Sequence, residues 1–251
     1  VDMKSVPYAP GVSSLMYALV ATRPNISHAV GVLEIYAQPQ PIALDAVKHV
    51  FRYLAGTKDH DILFGPNPTS RVVGYTGLRR LCGQSKVNNR ILFQIREWSN
   101  LVEVETSGVQ ATSTTEAEYV GASNAAKEAL WLGRLAHTFQ QVDSDSAPVV
   151  YSDSQGVVAL SKNPVHHNAS KHIDVRYHFA RDCVISGKIG LEKISTTDNV
   201  ANGMTKCFSA DRFQSLRHQM GIMKIGPVKV GHTTQDGFGQ PTRLFEDRLQ
   251  L

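Results

Sequence analysis

What the 251-residue chain lacks narrows its class first. It has three cysteines, Cys82, Cys183 and Cys207, too few for a disulfide framework and without the C-x-x-C pair that would suggest zinc. A reducing, intracellular setting is therefore expected. The longest apolar run near the start, Val12 to Ala21, is too short for a membrane span and has no charged segment before it. A Gly-rich phosphate loop is missing, which excludes nucleotide hydrolysis of that kind. No nucleophile elbow with a Ser-His-Asp or Cys-His set stands out. Charge of one sign is missing too: 26 Lys and Arg against 22 Asp and Glu give a formal net charge of +4, which permits a nucleic-acid partner without requiring one.

With 42% hydrophobic residues and 19% charged, the chain has the makings of a packed core and of one or two domains. It opens on Val1 rather than Met, so the expectation is a piece of something longer. Three regions separate: a helical one to residue 68, an α/β one over 69–221, and a loosely ordered tail over 222–251. In the first, Ala43, Val47, Val50, Phe51 and Leu54 recur at helical spacing, and Gly56 closes the helix as a C-terminal cap would. Lys48, Arg52 and Lys58 make that helix basic. Gly65-Pro66-Asn67-Pro68 reads as a turn or linker. Beyond it Arg71 to Tyr75 predicts a short strand, and residues 77–107 show no clear periodicity.

From Ser113 the pattern sharpens. Ser113-Thr114-Thr115-Glu116 is a capping box, and the helix it starts runs to about Phe139. Glu118 shares a stripe with Ala122, Ala125, Ala129 and Leu132, which puts a carboxylate on the inward face. Glu116 falls nearly opposite, where capping explains it. Val149-Val150-Tyr151-Ser152-Asp153 predicts a strand ending in an acid, with a helix from Ser154 to Ser161. Asp153 thus sits at a strand's C-terminal end, where α/β folds gather ligands, although capping the next helix is an equal alternative on pattern alone. A helix over His172 to Arg181, a strand over Ile189 to Ile194 and a last helix from Val200 follow. His166, His167, His172 and His178 lack zinc spacing.

Several strings resemble the end of the polyprotein of copia-type LTR retrotransposons. They include Thr22-Arg23-Pro24, Arg52 to Thr57, Ser113 to Val120, Tyr151 to Gln155, Lys171-His172-Ile173-Asp174 with Tyr177-His178, and Met204-Thr205-Lys206, in order and at the family's spacing over about 6–221. The resemblance implies the end of a reverse transcriptase with its connection, then a ribonuclease H-like mixed sheet flanked by helices. It implies cleavage of the RNA strand of RNA–DNA hybrids by two divalent ions, usually Mg²⁺, about 4 Å apart. Such hard ions need converging carboxylates. Two of the family's four acids match Glu118 and Asp153, as catalytic residues and metal ligands. The fourth falls on Asn202, a neutral amide. The first should follow Gly74-Tyr75-Thr76, where the chain reads Gly77-Leu78-Arg79-Arg80. Lys171, His172, Arg176 and His178 fall on the implied nucleic-acid surface, and the rest of the Pol polyprotein is the implied protein partner.

The mismatched stretch has the form of a slipped reading frame, with a genuinely diverged surface loop as the alternative. Gly77 to Ile91, back-translated with permitted codons and read from the second base, gives D-S-D-D-C-A-D-N-R-K-S-T-T-G and then Tyr, close to the family's first-acid segment. Arg96 to Thr106, treated likewise, gives E-N-G-Q-I-W-S-K-S-K, close to its next hairpin. Damage to the early strands and little or no nuclease activity are the expectations. Two alternatives stand beside an inactive nuclease: a nucleic-acid-binding remnant that does not cut, and a decayed reading-frame product that barely folds.

Overall fold

The structure is a computed structural model that describes residues 7–34, 40–63, 71–80, 87–94, 99–107, 114–139, 142–143, 146–162 and 179–225. The chain begins with three helices, α1 (Tyr8–Ala21), α2 (Ser27–Leu33) and α3 (Pro41–Gly56). Pro41 starts α3 because the first helical position needs no N–H. Leu15, Leu19, Val30, Leu33, Val47 and Val50 close a common core. Gly56 is the last helical residue of α3, but its φ is not positive, so it ends the helix without the left-handed cap that the sequence suggested. Arg23, buried under this bundle, donates from Nη1 to the Thr57 carbonyl at 3.1 Å and ties α3's end to the loop before α2.

A five-stranded sheet follows, in the order β4-β3-β2-β5-β6: β2 (Val73–Arg80), β3 (Val87–Gln94), β4 (Ser99–Ser107), β5 (Val149–Ser152) and β6 (Gly190–Lys193). The first three form an antiparallel meander, and β5 and β6 add in parallel. This is the ribonuclease H-like mixed sheet with flanking helices that the resemblance implies. The expected damage to the early strands is not seen in the backbone. β2 pairs with β3 without interruption from Val73↔Gln94 to Arg80↔Val87, and β3 with β4 from Val87↔Ser107 to Gln94↔Ser99 with one irregularity. Ladders are made by backbone groups, so poor side-chain alternation weakens them without abolishing them. Ile91, Leu92 and Phe93, all fully buried, anchor the middle of β3. Arg90 is also fully buried, directly across from Gly77.

Helix α4 (Thr114–Thr138) covers one face of the sheet, packing Tyr119, Val120, Ala122, Ala125 and Ala129 on Ile91, Phe93 and Val150. Phe93 sits so close to the partner strand that a Cβ on Gly74 would lie 2.6 Å from its ring. The other face, with Leu92 and Tyr75, is covered by a 3₁₀ turn at Val200–Met204 and by Met220. Helices α5 (Gln155–Lys162), α6 (Phe179–Ile185) and α7 (Ala210–Gln219) complete the helical layers among the described residues. Among the described residues no helix is long and apolar enough to cross a membrane.

The tail departs from expectation at its start. Gly221, at φ 75°, turns the chain out of α7 into β7 (Ile222–Lys224), which pairs antiparallel with β1 (His60–Ile62). The pairing crosses both expected region boundaries, and a three-residue strand is too short to show a period. Residues 226–251 lie outside the described residues, as do 172–178 of the helix expected before Arg181.

Candidate active site

The site assembles at the C-terminal ends of the parallel strands β2 and β5, whose last paired residues are Thr76 and Ser152. The next residue on β5 is Asp153, where the sequence placed it. Capping does not explain it. Ser154 Oγ accepts from the Val157 N–H at 3.5 Å, and Ser152 Oγ accepts from the Ser154 N–H at 3.2 Å, so serines serve the start of α5. The Asp153 carboxylate instead turns toward the 3₁₀ turn. Its Oδ2 accepts from Nδ2 of Asn202 at 3.2 Å.

Asn202 is buried and spends its amide donor twice, on Asp153 and on the Thr196 carbonyl at 2.9 Å. A hard cation needs an oxygen facing it. At this position the group directed at Asp153 is a donor, and it occupies an oxygen that an ion would use. Lys206 Nζ stands 3.8 Å from the same oxygen, and Lys193 Nζ donates to the Asp153 backbone carbonyl. The surroundings of Asp153 are thus supplied by an amide and two ammonium groups.

The turn is held in place by Asn199, which is fully buried. Its Nδ2 donates to the Thr76 carbonyl at 3.0 Å, and its Oδ1 accepts from the Ala201 N–H at 3.1 Å. One side chain therefore fastens the end of β2 and caps the turn that carries Asn202. Residue 77, the position after Thr76, is glycine. A Cβ there would meet Ala201 at 3.2 Å, so a side chain at 77 needs the turn to give by a few tenths of an ångström.

Glu118 lies half-buried on α4, one turn past its start. The first turn of α4 abuts the start of α5: a Cβ on Gly156 would lie 2.9 Å from Cγ2 of Thr115. Glu118 and Asp153 therefore belong to the same end of the sheet. The face assigned to Glu116 needs correction, since Glu116 is buried, more deeply than Glu118. Helices α5 and α6 pack beside the sheet against α4, so the covered arc is wider than one stripe. Ser113 of the capping box, and Lys171, His172, Arg176 and His178, lie outside the described residues.

Sequence reasoning missed Asn199, Lys193 and Lys206 as site neighbours. Lys206 was visible in the Met204-Thr205-Lys206 string, but nothing in the string says which carboxylate it approaches. Among the described residues no group of three or more His, Cys, Asp or Glu side chains could hold a metal ion. The donor set around Asp153 does not fit a two-ion centre.

No protein-family model matches the chain. It is 37% identical over 224 residues to the retrovirus-related Pol polyprotein from transposon TNT 1-94 of Nicotiana tabacum, covering 88% of this chain and 17% of that polyprotein. It is 34% identical over 221 residues to the Pol polyprotein from transposon RE2 of Arabidopsis thaliana, covering 86% of this chain and 15% of the other. The chain thus spans about a sixth of the length of these relatives. Among solved structures, LC11-RNase H1 in complex with RNA/DNA hybrid aligns at a TM-score of 0.36 and 15% identity, over 51% of this chain and 88% of that one. With such identity to transposon polyproteins along most of its length, the chain belongs to the Pol polyproteins of copia-type retrotransposons.

Proposed function

We propose that this ribonuclease H-like fragment descends from a hybrid-cutting nuclease and no longer cuts. The observation that carries the reading is the environment of Asp153, where an amide donor at 3.2 Å and an ammonium at 3.8 Å stand in place of converging carboxylates. In the chemistry that the family resemblance implies, bound Mg²⁺ would supply activation of a water and charge stabilisation at the leaving oxygen. Here Glu118 and Asp153 are the residues retained for that task. Two carboxylates offset the mutual repulsion of two dications far less than four do. Lys171, His172, Arg176 and His178 are proposed to contact nucleic-acid backbone, so any hybrid binding should weaken as salt rises.

Frame slips over 77–91 and 96–107 account for the missing first acid. The shifted reading puts an aspartate at position 77 and a glycine at position 90, so the cross-strand pair Gly77↔Arg90 gives way to an acid facing a glycine. Paired residues share a sheet face. A lone Gly77→Asp would therefore set its carboxylate beside the Arg90 guanidinium, and repair has to change both strands.

The test is Mg²⁺- or Mn²⁺-dependent cleavage of a labelled RNA–DNA hybrid. The chain as it stands is compared with a version carrying both restored segments and Asn202→Asp. Cleavage by the restored version alone is the expected result. Cleavage by the present chain, abolished by Glu118→Gln, would overturn the proposal.

A further inference from the structure

Away from the carboxylates, one pair of side chains joins the helical region to the sheet domain through chemistry that neither fold nor nuclease ancestry requires. His28 lies half-buried on α2, and Cys207 lies three residues past the 3₁₀ turn as an exposed free thiol. Nε2 of His28 stands 2.9 Å from Sγ of Cys207, and Nδ1 stands 3.0 Å from the Thr205 carbonyl oxygen. A carbonyl oxygen only accepts, so Nδ1 carries the ring hydrogen and donates. Nε2 is then the lone-pair nitrogen, and the thiol donates to it. A nucleophile against a base whose tautomer is set by a third group is the arrangement that activates thiols.

Beside the thiol lies a cleft that Cys207 does not itself line but that shares His28 and the neighbouring Lys206 with it. A cleft of about 150 Å³ between α2, α3 and α7 is lined by His28, Lys206 and the rings of Tyr53 and Phe213. The rings suit an apolar arm, and the Lys206 ammonium suits an anionic group. Cys183 supplies the contrast: it is buried on α6, and burial pushes its thiol up.

We propose that Cys207 is a reactive thiol with His28 as its base, and that it exchanges with small disulfides bearing an anionic group. His28 Nε2 takes the thiol proton and Sγ attacks one sulfur of the disulfide. The new S–S bond to Cys207 forms as the reagent's own S–S bond breaks, and the departing thiolate leaves with the electron pair. Cys207 is oxidised, the departing half is reduced, and no further oxidant takes part. The product lies next to Lys206, and so at the rim of the Asp153 site.

The test exposes the whole chain briefly to dithiobis(nitrobenzoate), follows thiol release, and maps the labelled cysteine by mass spectrometry. Cys207 is expected to react at least about tenfold faster in the folded chain than after unfolding in guanidinium, and His28→Asn to remove that advantage. Lys206→Gln should slow the anionic reagent by more than it slows neutral iodoacetamide. Equal rates for Cys207 folded and unfolded would overturn the proposal, as would an undiminished rate in folded His28→Asn. The comparison of folded with unfolded chain needs no variant, so it decides the matter even where His28→Asn fails to fold.

Discussion

Asn202 sets the electrostatics around Asp153, because its amide donor faces a carboxylate at 3.2 Å. Asn202→Asp removes that donor, leaves the Thr196 carbonyl without it, and brings a second negative charge to the same place. The variant should lose about 1–3 kcal/mol of stability in a chelator. Mg²⁺ should restore part of the loss by bridging the two acids, and thermal melting with and without the ion measures it. The chain as it stands should show no Mg²⁺-dependent shift. An equal shift in both would mean that the present donors already hold the ion. At this scale the sequence was informative where a residue broke its local pattern. Glu118 is a carboxylate on an alanine stripe, and Asp153 ends an apolar strand. Asn199 and Lys193 break no pattern, and only the folding of a turn onto the end of β2 and the pairing of β6 with β5 give them a part.

Gly74 marks a close approach between β2 and β3. Its absent side chain lets the fully buried Phe93 ring lie against the backbone of the partner strand. Gly74→Ala should cost about 1–3 kcal/mol by overpacking, read as a lower denaturant midpoint at unchanged slope. At the smaller sheet, Lys224 pairs with Asp59 at 3.0 Å, and His60 bonds the same carboxylate. Together they hold the Asp59 carboxyl down at about 2, from an ordinary 3.8. A depressed carboxylate stabilises the fold above its unfolded value and loses that contribution as pH falls through the folded one. The β1–β7 pairing should therefore loosen as pH drops from about 4 toward 2. In Lys224→Met, the Asp59 resonance should titrate nearer 3.8. Among elements, α4 and the β5–α5 unit were legible because a cap and an apolar period both mark them. Strands β3 and β4 were not, since residues 77–107 show no clear periodicity and backbone pairing does not require one.

At the level of the whole molecule, the helical region and the sheet domain share more than a linker. Arg217 of α7 donates to the Tyr53 hydroxyl of α3 at 3.3 Å, and the rings of Tyr53 and Phe213 meet edge to face at 5.9 Å. Removal of residues 222–251 should therefore raise amide exchange in β1 and at the end of α3, although no residue there has changed. Unaltered protection in both would separate the two regions energetically. The β1–β7 pair has a temporal side as well. On the ribosome His60–Ile62 is made before the other described strands, and its partner Ile222–Lys224 is the last of them to emerge. While the residues between them are being made, β1 stands as an unpaired edge, open to any other nascent strand. The order of synthesis thus makes this short sheet the last of the described strand pairings that a growing chain can close.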